Sequence, residues 1–495
     1  MFIVLLLLAQ IALIVFTVGY YSQMRPVAEV LRLLAILTAL HLLLHEQPAG
    51  FKLTMVFLIL LFPLFGGVFY WIFHFQTTTV GFRRRLHKIS LETAKDFRLT
   101  GTFTEAALTD LPDSCRLIRY LDAKPSFPVY RHTQSVYYSD GKPFMEALLS
   151  ELKKAERYIF LEYFIIGEGI FWDSVSDVLC ERASHGVDVR VIYDDLGCFV
   201  TLPAKYEKKL RSMGIQCEVF NPFRPFLTNI QNNRDHRKIA VIDGKVAFTG
   251  GINLADEYIN ERDRFGYWKD SAVKLSGDGA WSLCVMFLQM WSFLTRRHED
   301  CSRYLPAAFS AKTASDGWVQ PYCDSPMDRE NVGEHVYLQM ISGAQHYLYI
   351  TSPYLTVDSS MISSLTLAAK SGVDVRLILP QHPDKRWVQF TGRSFYRQLL
   401  NAGVKIYEYD GFIHSKSMVS DDLCATVGTV NLDFRSLYLH FECGTCLYKT
   451  ASVLDVKQDF LQTLARCKEI THADCKSNPV KRLFQEICRL LSPLM

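Results

Sequence analysis

Two histidines head the same short phrase at two places in this chain. His236-Arg-Lys238-Ile-Ala-Val-Ile-Asp243 runs on through six residues to Gly250-Gly-Ile-Asn253, and His414-Ser-Lys416-Ser-Met-Val-Ser-Asp421 runs on through six residues to Gly428-Thr-Val-Asn431. A given position matches His-x-Lys-x4-Asp by chance only on the order of once in 10⁴, so a second match with the same downstream Gly and Asn is a duplication. Residues two apart on a strand share a face, so each copy offers an imidazole beside an ammonium. The aspartates fall at the turns Asp243-Gly244 and Asp421-Asp422, an odd number of residues past the lysines, and read as supports rather than groups that touch substrate. Asn253 and Asn431 follow small residues that permit close backbone approach, and each amide can donate hydrogen bonds to a phosphate oxygen.

Two such faces meeting across a pseudo-twofold interface form a cage for a phosphodiester. A neutral histidine attacks phosphorus, a protonated one hands its proton to the departing alkoxide, and the lysines stabilise the developing charge. This chemistry needs no metal and no cofactor. The two imidazoles titrate as a pair, so no single pKa belongs to either. Further carboxylates, Asp270 in Tyr-Trp-Lys-Asp and Glu442 in Leu-His-Phe-Glu, are candidates to orient the imidazoles. The candidate catalytic set is therefore His236, Lys238, Asp243, His414, Lys416 and Asp421, with Asn253 and Asn431 for phosphate and Asp270 and Glu442 for orientation.

The elements that must position these residues also repeat. Tyr158-Ile-Phe-Leu-Glu-Tyr-Phe-Ile-Ile166, a helical stretch and Gly186-Val-Asp-Val-Arg-Val-Ile192 are matched by His346-Tyr-Leu-Tyr-Ile-Thr-Ser352, a helical stretch and Gly372-Val-Asp-Val-Arg-Leu-Ile378. Met213 to Phe220 and Ala402 to Tyr409 then pair as another strand entry ahead of each histidine phrase. Buried β-branched runs alternating with helices predict an α/β fold, two homologous domains each with a mixed sheet flanked by helices, sharing one active site. The boundaries read as a membrane anchor over 1–80, a juxtamembrane linker over 81–130, a first domain over 131–320 and a second over 321–495.

The anchor is expected because Phe2 to Tyr21 is uncharged and rich in Leu, Ile and Val, long enough for a hydrocarbon core that needs about 20 residues. Lys52 to Phe75 is a second predicted span, ending in the aromatic cluster Phe69, Tyr70, Trp71 and Phe73 and containing Pro63, Gly66 and Gly67. Pro26 to Leu44, interrupted by Glu29, Arg32 and His41, reads as a third span or an interfacial helix. No basic n-region or small-x-small site marks the first run as a cleaved signal. Arg83, Arg84, Arg85 and Lys88 place everything after residue 80 on the cytoplasmic side.

Composition excludes several classes. A formal charge of +3 over 495 residues does not describe a polyanion-coating protein, and no basic stretch interleaved with aromatics suggests a nucleic-acid groove. The 13 cysteines follow the first apolar run at no scaffold or finger spacing, which fits a reducing compartment, and Cys443 and Cys446 read as buried strand residues. A transporter is excluded by the few membrane segments without an intramembrane acidic pair.

The duplicated phrase is the signature of the phospholipase D superfamily. With Phe-Pro-Leu-Phe-Gly-Gly-Val-Phe-Tyr in the anchor, Asp-His-Arg-Lys-Ile in the first copy, Gly428-Thr-Val-Asn-Leu-Asp-Phe-Arg-Ser436 in the second and a terminal Leu-Leu-Ser-Pro-Leu, the chain resembles bacterial cardiolipin synthases over nearly its whole length. The resemblance implies a phosphatidyltransferase that moves a phosphatidyl group from one phosphatidylglycerol to an enzyme histidine and on to a second phosphatidylglycerol, releasing glycerol. Superfamily analogy points to His236 as nucleophile, although the residues alone leave that open. Gly251 departs from the pattern, since many members carry Ser there and Thr429 stands at the matching place, so a hydroxyl contact to phosphate is missing from the first half. The rivals are a membrane-bound phospholipase D that uses water as acceptor and a lipid-binding scaffold without turnover, the latter disfavoured because both motifs are intact. Helical spacing of Leu483, Phe484, Ile487, Leu490 and Leu491 predicts a packed amphipathic core helix, with a membrane-surface contact as the alternative.

Overall fold

The computed structural model describes residues 21–44, 49–74, 77–101, 103–123, 126–223, 229–306, 315–328 and 330–494. The first predicted span, Phe2 to Tyr21, lies outside them except for its last residue.

Seven strands build the first sheet: β1 (Thr133–Tyr138), β2 (Tyr158–Tyr163), β3 (Asp188–Asp194), β4 (Gln216–Phe220), β5 (Lys238–Ile242), β6 (Val246–Gly250) and β7 (Ala272–Gly277), in the order β1-β7-β6-β5-β2-β3-β4. The second sheet contains β8 (Trp318–Asp324), β9 (Tyr347–Thr351), β10 (Asp374–Pro380), β11 (Lys405–Tyr409), β12 (Ser417–Ser420), β13 (Cys424–Gly428), β14 (His440–Tyr448) and β15 (Cys467–Ile470), in the order β8-β14-β13-β12-β9-β10-β11-β15. The orders are the same apart from the added β15. In each, β2–β3–β4 or β9–β10–β11 run parallel and the remainder antiparallel, as continuous buried apolar runs joined by helices require.

Two short parallel pairings tie the halves together. Arg234–Asp235, just ahead of the first histidine phrase, pairs with His440–Phe441 at the start of β14. Phe412–Ile413, just ahead of the second, pairs with Trp268–Lys269, just ahead of β7. Each half therefore offers its histidine strand to the other half's carboxylate strand.

Helix α1 (Tyr21–Leu43) contains an 18-residue window, Pro26–Leu43, of mean hydropathy 1.7, long and apolar enough to cross a membrane. It supplies the segment that the sequence left open between a span and an interfacial helix. The predicted span Lys52 to Phe75 takes a different form. Pro63, which cannot continue a helix hydrogen-bond ladder, divides it into α2 (Ala49–Leu61) and α3 (Pro63–His74). The chain folds back there so tightly that a Cβ on Gly66 would lie 2.6 Å from the Leu58 carbonyl oxygen. At 13 and 12 residues, each helix is only about 20 Å long, short of the roughly 30 Å hydrocarbon core. Met55, Ile59 and Tyr70 of the hairpin pack on Ala35, Ala39 and Leu42 of α1.

Helix α4 (Thr77–Thr93) carries the arginine run and packs on α5 (Ala280–Thr295), a helix buried along almost its whole length. Arg83 Nε donates to the Met327 carbonyl at 2.6 Å, and the Arg85 guanidinium sits 4.7 Å from the Phe293 ring centroid while donating to that residue's carbonyl. The run thus also seats α4 on the catalytic body.

The C-terminal helix corrects the core expectation. In α7 (Pro479–Leu490), Val480, Leu483, Phe484 and Ile487 are exposed, and only Cys488 is buried. The helix lies against α6 (Arg386–Asn401) with its apolar face turned outward. Helical periodicity shows that an apolar face exists but not what covers it.

Candidate active site

The parallel pairing of Arg234–Asp235 is carried one residue further when the His236 backbone N–H donates to the Phe441 carbonyl at 2.9 Å. That contact sets the His236 ring beside the next residue of the other half, and Nδ1 donates to Glu442 at 2.9 and 3.0 Å. The second site is its mirror. The His414 N–H donates to the Lys269 carbonyl at 2.7 Å, and His414 Nδ1 donates to Asp270 at 2.7 Å. The orienting carboxylates are therefore crossed, and neither half holds its own histidine. With Nδ1 committed to a carboxylate, Nε2 of each ring is the nitrogen free for chemistry.

Lys238 Nζ donates to the His236 carbonyl at 2.6 Å, and Lys416 Nζ makes the corresponding contact to the His414 carbonyl. All four side chains are buried, Lys416 completely. Burial, followed by the charges of Lys238 and Lys416, holds His236 well below the usual histidine value. Burial and Lys416 lower His414 to about 4, with Asp270 pulling the other way. Burial lowers Lys238 to about 8 and Lys416 to about 7. Burial alone would raise the Asp270 carboxyl, but the charges of His414 and Lys416 hold it below the usual range. Groups from each half thus lie within the electrostatic reach of the other half's histidine, which makes this one site.

The two carboxylates are not held alike. Glu442 also accepts from Ser436 Oγ at 2.6 Å and from Thr429 Oγ1, whereas Asp270 takes the backbone N–H of Ser271. Gly251 stands where Thr429 does, and a Cβ there would lie 2.1 Å from Asp270 Oδ1. The hydroxyl expected from the superfamily pattern is absent because the Asp270 carboxylate occupies its space.

The carboxylates of Asp243 and Asp421 face the backbone of the neighbouring strand. Asp243 accepts from the backbone N–H groups of Glu156, Arg157 and Tyr158 at 2.8 to 2.9 Å, and Asp421 from those of Gln345, His346 and Tyr347 at 2.7 to 2.9 Å. Each sits in a turn at positive φ, at the far end of the strand from the lysine, and pins the entry of the neighbouring strand. Asn253 uses its carbonyl on the Ile165 N–H at 2.9 Å and one amide hydrogen on Tyr258 at 2.7 Å. Asn431 Oδ1 is buried without a hydrogen-bond partner among the described residues.

Several neighbours went unread in the sequence. Phe164 and His440 lie 5.0 and 5.5 Å from the His236 ring, and Trp268 and Tyr258 lie 5.2 and 5.5 Å from the His414 ring, centroid to centroid. Trp268 and His440 each stand two residues ahead of a carboxylate, a spacing the sequence did show. Beneath the first phrase, Arg237 pairs with Glu162 and Asp235; at the matching level of the second, Ser415, Thr351 and Ser271 form a hydroxyl cluster. Among the described residues, His236, His440 and Glu442 bring possible metal-ligand atoms within 4.8 Å of one another, but His236 and Glu442 are already joined by the hydrogen bond described above.

Comparison with known proteins places this geometry among relatives. The family described as cardiolipin synthase, phospholipase D-like domain, matches residues 148–265 and 337–464. An uncharacterised protein of Streptococcus mutans is 42% identical over 90% of this chain and 96% of its own. A cardiolipin synthase of Alkalihalophilus pseudofirmus is 36% identical over 90% of this chain and 88% of its own, and one of Geobacillus kaustophilus 35% identical over 88% and 87%. The crystal structure of a phosphatidylserine synthase from Haemophilus influenzae shares the fold, with a TM-score of 0.59 at 14% identity, covering 77% of this chain and 100% of that one.

Proposed function

Because the chain belongs to the cardiolipin synthase family, a family of phospholipid phosphatidyltransferases, we propose that it joins two phosphatidylglycerols into cardiolipin and glycerol through a phosphohistidine. His236 Nε2 attacks phosphorus as the bond to the headgroup glycerol breaks, and His414 gives that alkoxide its proton. A hydroxyl of the second phosphatidylglycerol then attacks the phosphohistidine, returns a proton to His414 and frees His236. Atoms and charge balance without a nucleotide-activated lipid.

The crossed histidine–carboxylate pairs carry this reading. They hold two imidazoles in matched tautomers, each with Nε2 available, as a nucleophile and its acid must be. Burial and the neighbouring lysines press both imidazoles towards the neutral form that a nucleophile needs, and the carboxylates Glu442 and Asp270 stand ready to support whichever ring takes up a proton. A bound diester adds negative charge that raises both imidazoles, so that the one facing the leaving alkoxide can carry the proton it needs. Lys238, Lys416 and the amides of Asn253 and Asn431 then stabilise the equatorial oxygens.

The catalytic halves follow an apolar N-terminal segment in the chain, so phosphatidylglycerol and other anionic lipids of the membrane are the expected partners, with no nucleic acid. Helix α1 anchors the chain and the arginine run keeps the catalytic halves cytoplasmic. Near a bilayer, lipid hydroxyls reach a high effective concentration and outcompete water. The test is purified full-length protein in phosphatidylglycerol micelles, with and without chelator, quantifying cardiolipin, glycerol and phosphatidic acid. Cardiolipin and glycerol in equal amounts are expected in both conditions. Dominant phosphatidic acid, an absolute need for CDP-diacylglycerol, or loss of activity in chelator that a divalent ion restores overturns the mechanism.

A further inference from the structure

The outward face of α7 continues onto the neighbouring helix. Trp387 near the start of α6 is among the most exposed large apolar side chains at 64%, and its ring meets Phe484 of α7 at 6.1 Å, with Phe390 filling in at 5.8 Å from Phe484. Leu483 and Val480 extend the patch. Soluble surfaces seldom carry contiguous apolar area of this kind without a partner. Around it stand the exposed cations Lys385, Arg386, Lys481 and Arg482.

Two connections say what the partner is. On one side, the end of α7 is fastened to the apolar N-terminal hairpin: Thr54 Oγ1 of α2 donates to the Leu490 carbonyl at 2.5 Å, and Gly50 faces Pro493 and Phe434. The patch is thus continuous with the elements that meet the bilayer. On the other side, α6 begins at the catalytic site. Lys385, which caps it, lies 5.0 Å from the Tyr354 ring centroid, Tyr354 donates to the adjacent Asp384 at 2.7 Å, and the next residues, Leu355–Thr356, pair with Leu432–Asp433 directly after Asn431.

We propose that the α6–α7 face is a bilayer seat, with Trp387, Leu483, Phe484 and Val480 inserted at the level of the headgroups and the four cations on anionic phosphates. It rests on the function proposed above in one respect, that the substrate arrives from a lipid surface. The patch and a shared helix end then do one job: the seat fixes the height of the membrane relative to the mouth of the site, so that a lipid slides from the bilayer to His236 without leaving it. Apolar insertion and basic attraction are the two terms by which amphipathic helices bind such surfaces.

The experiment uses the full chain in vesicles of phosphatidylglycerol and phosphatidylcholine. Brominated lipid should quench a component of tryptophan fluorescence in the wild type that Trp387→Phe removes. Kinetically, L483E/F484E should lower activity on vesicles on the order of tenfold or more, with activity on monomeric short-chain phosphatidylglycerol unchanged, and K481E/R482E should erase the gain from anionic vesicles. Equal quenching in wild type and Trp387→Phe overturns the seat, whether or not the charged variants fold. Equal losses on vesicle and monomeric substrate also overturn it, by showing a role in the fold alone. Should the wild type make no cardiolipin from either substrate, the proposed function fails while the quenching still decides the seat.

Discussion

Replacing Asp270 by Asn removes one negative charge 2.7 Å from His414 Nδ1 while keeping the shape of the side chain. Asp270 is completely buried, so solvent and salt screen that charge weakly. A hydrogen bond to a charged partner contributes about 1.5–3 kcal/mol, and one pKa unit is about 1.36 kcal/mol, so His414 should lose about 1–2 units. The direction follows from the balance at that ring: burial and Lys416 press it down and Asp270 lifts it. Without the lift, the proton is held less tightly. His414 must be protonated to act as acid, so the alkaline limb of the kcat–pH profile should move to lower pH by about 1–2 units, and kcat at neutral pH should fall about 10- to 100-fold. The assay is cardiolipin formation from phosphatidylglycerol micelles across the pH range, with Glu442→Gln as the companion that acts on the His236 side. An unmoved profile, or movement of the acidic limb alone, refutes the assignment of Asp270 to the acid.

His236→Ala and His414→Ala should each leave at most a few per cent of activity, and the double variant should be no worse than either, because the two act as a unit; the same assay reads this. Asp243→Ala and Asp421→Ala should each strip three backbone N–H groups of their acceptor and cost roughly 2–4 kcal/mol of stability, seen in thermal unfolding, while the folded fraction keeps its turnover. Gly251→Ser should lose activity to about the extent of Asp270→Asn, since its Cβ would meet the Asp270 carboxylate; a fully active Gly251→Ser with an unmoved pH profile contradicts that contact.

What could be read from the sequence was whatever a local period or a repeat encodes. The alternation of β-branched runs announced strands, and the doubled phrase announced two like sheets and put imidazole and ammonium on one face. The turn at Asp243-Gly244 betrayed the aspartates as supports. The crossing of Asp270 and Glu442 was not legible, because it depends on the pairing of residues 234–235 with 440–441, some two hundred positions apart. Gly251 looked like a lost hydroxyl until the carboxylate in its place was visible. Composition made Lys52 to Phe75 look like one span, and only the proline geometry at residue 63 divided it. For α7, the same spacing suits a core face and a membrane face, and exposure alone separates them.

The crossed carboxylates have a bearing on descent. A repeat whose copies each kept their own histidine and acid could be pruned to one copy, or swapped with a cousin's half, and still work. Here each copy's imidazole has come to depend on its sibling's acid, and the two acids have diverged in length, Asp beside Gly251 and Glu beside Thr429. Neither half alone can therefore hold a complete histidine–carboxylate pair, and each catalytic strand is finished only when the two halves are docked.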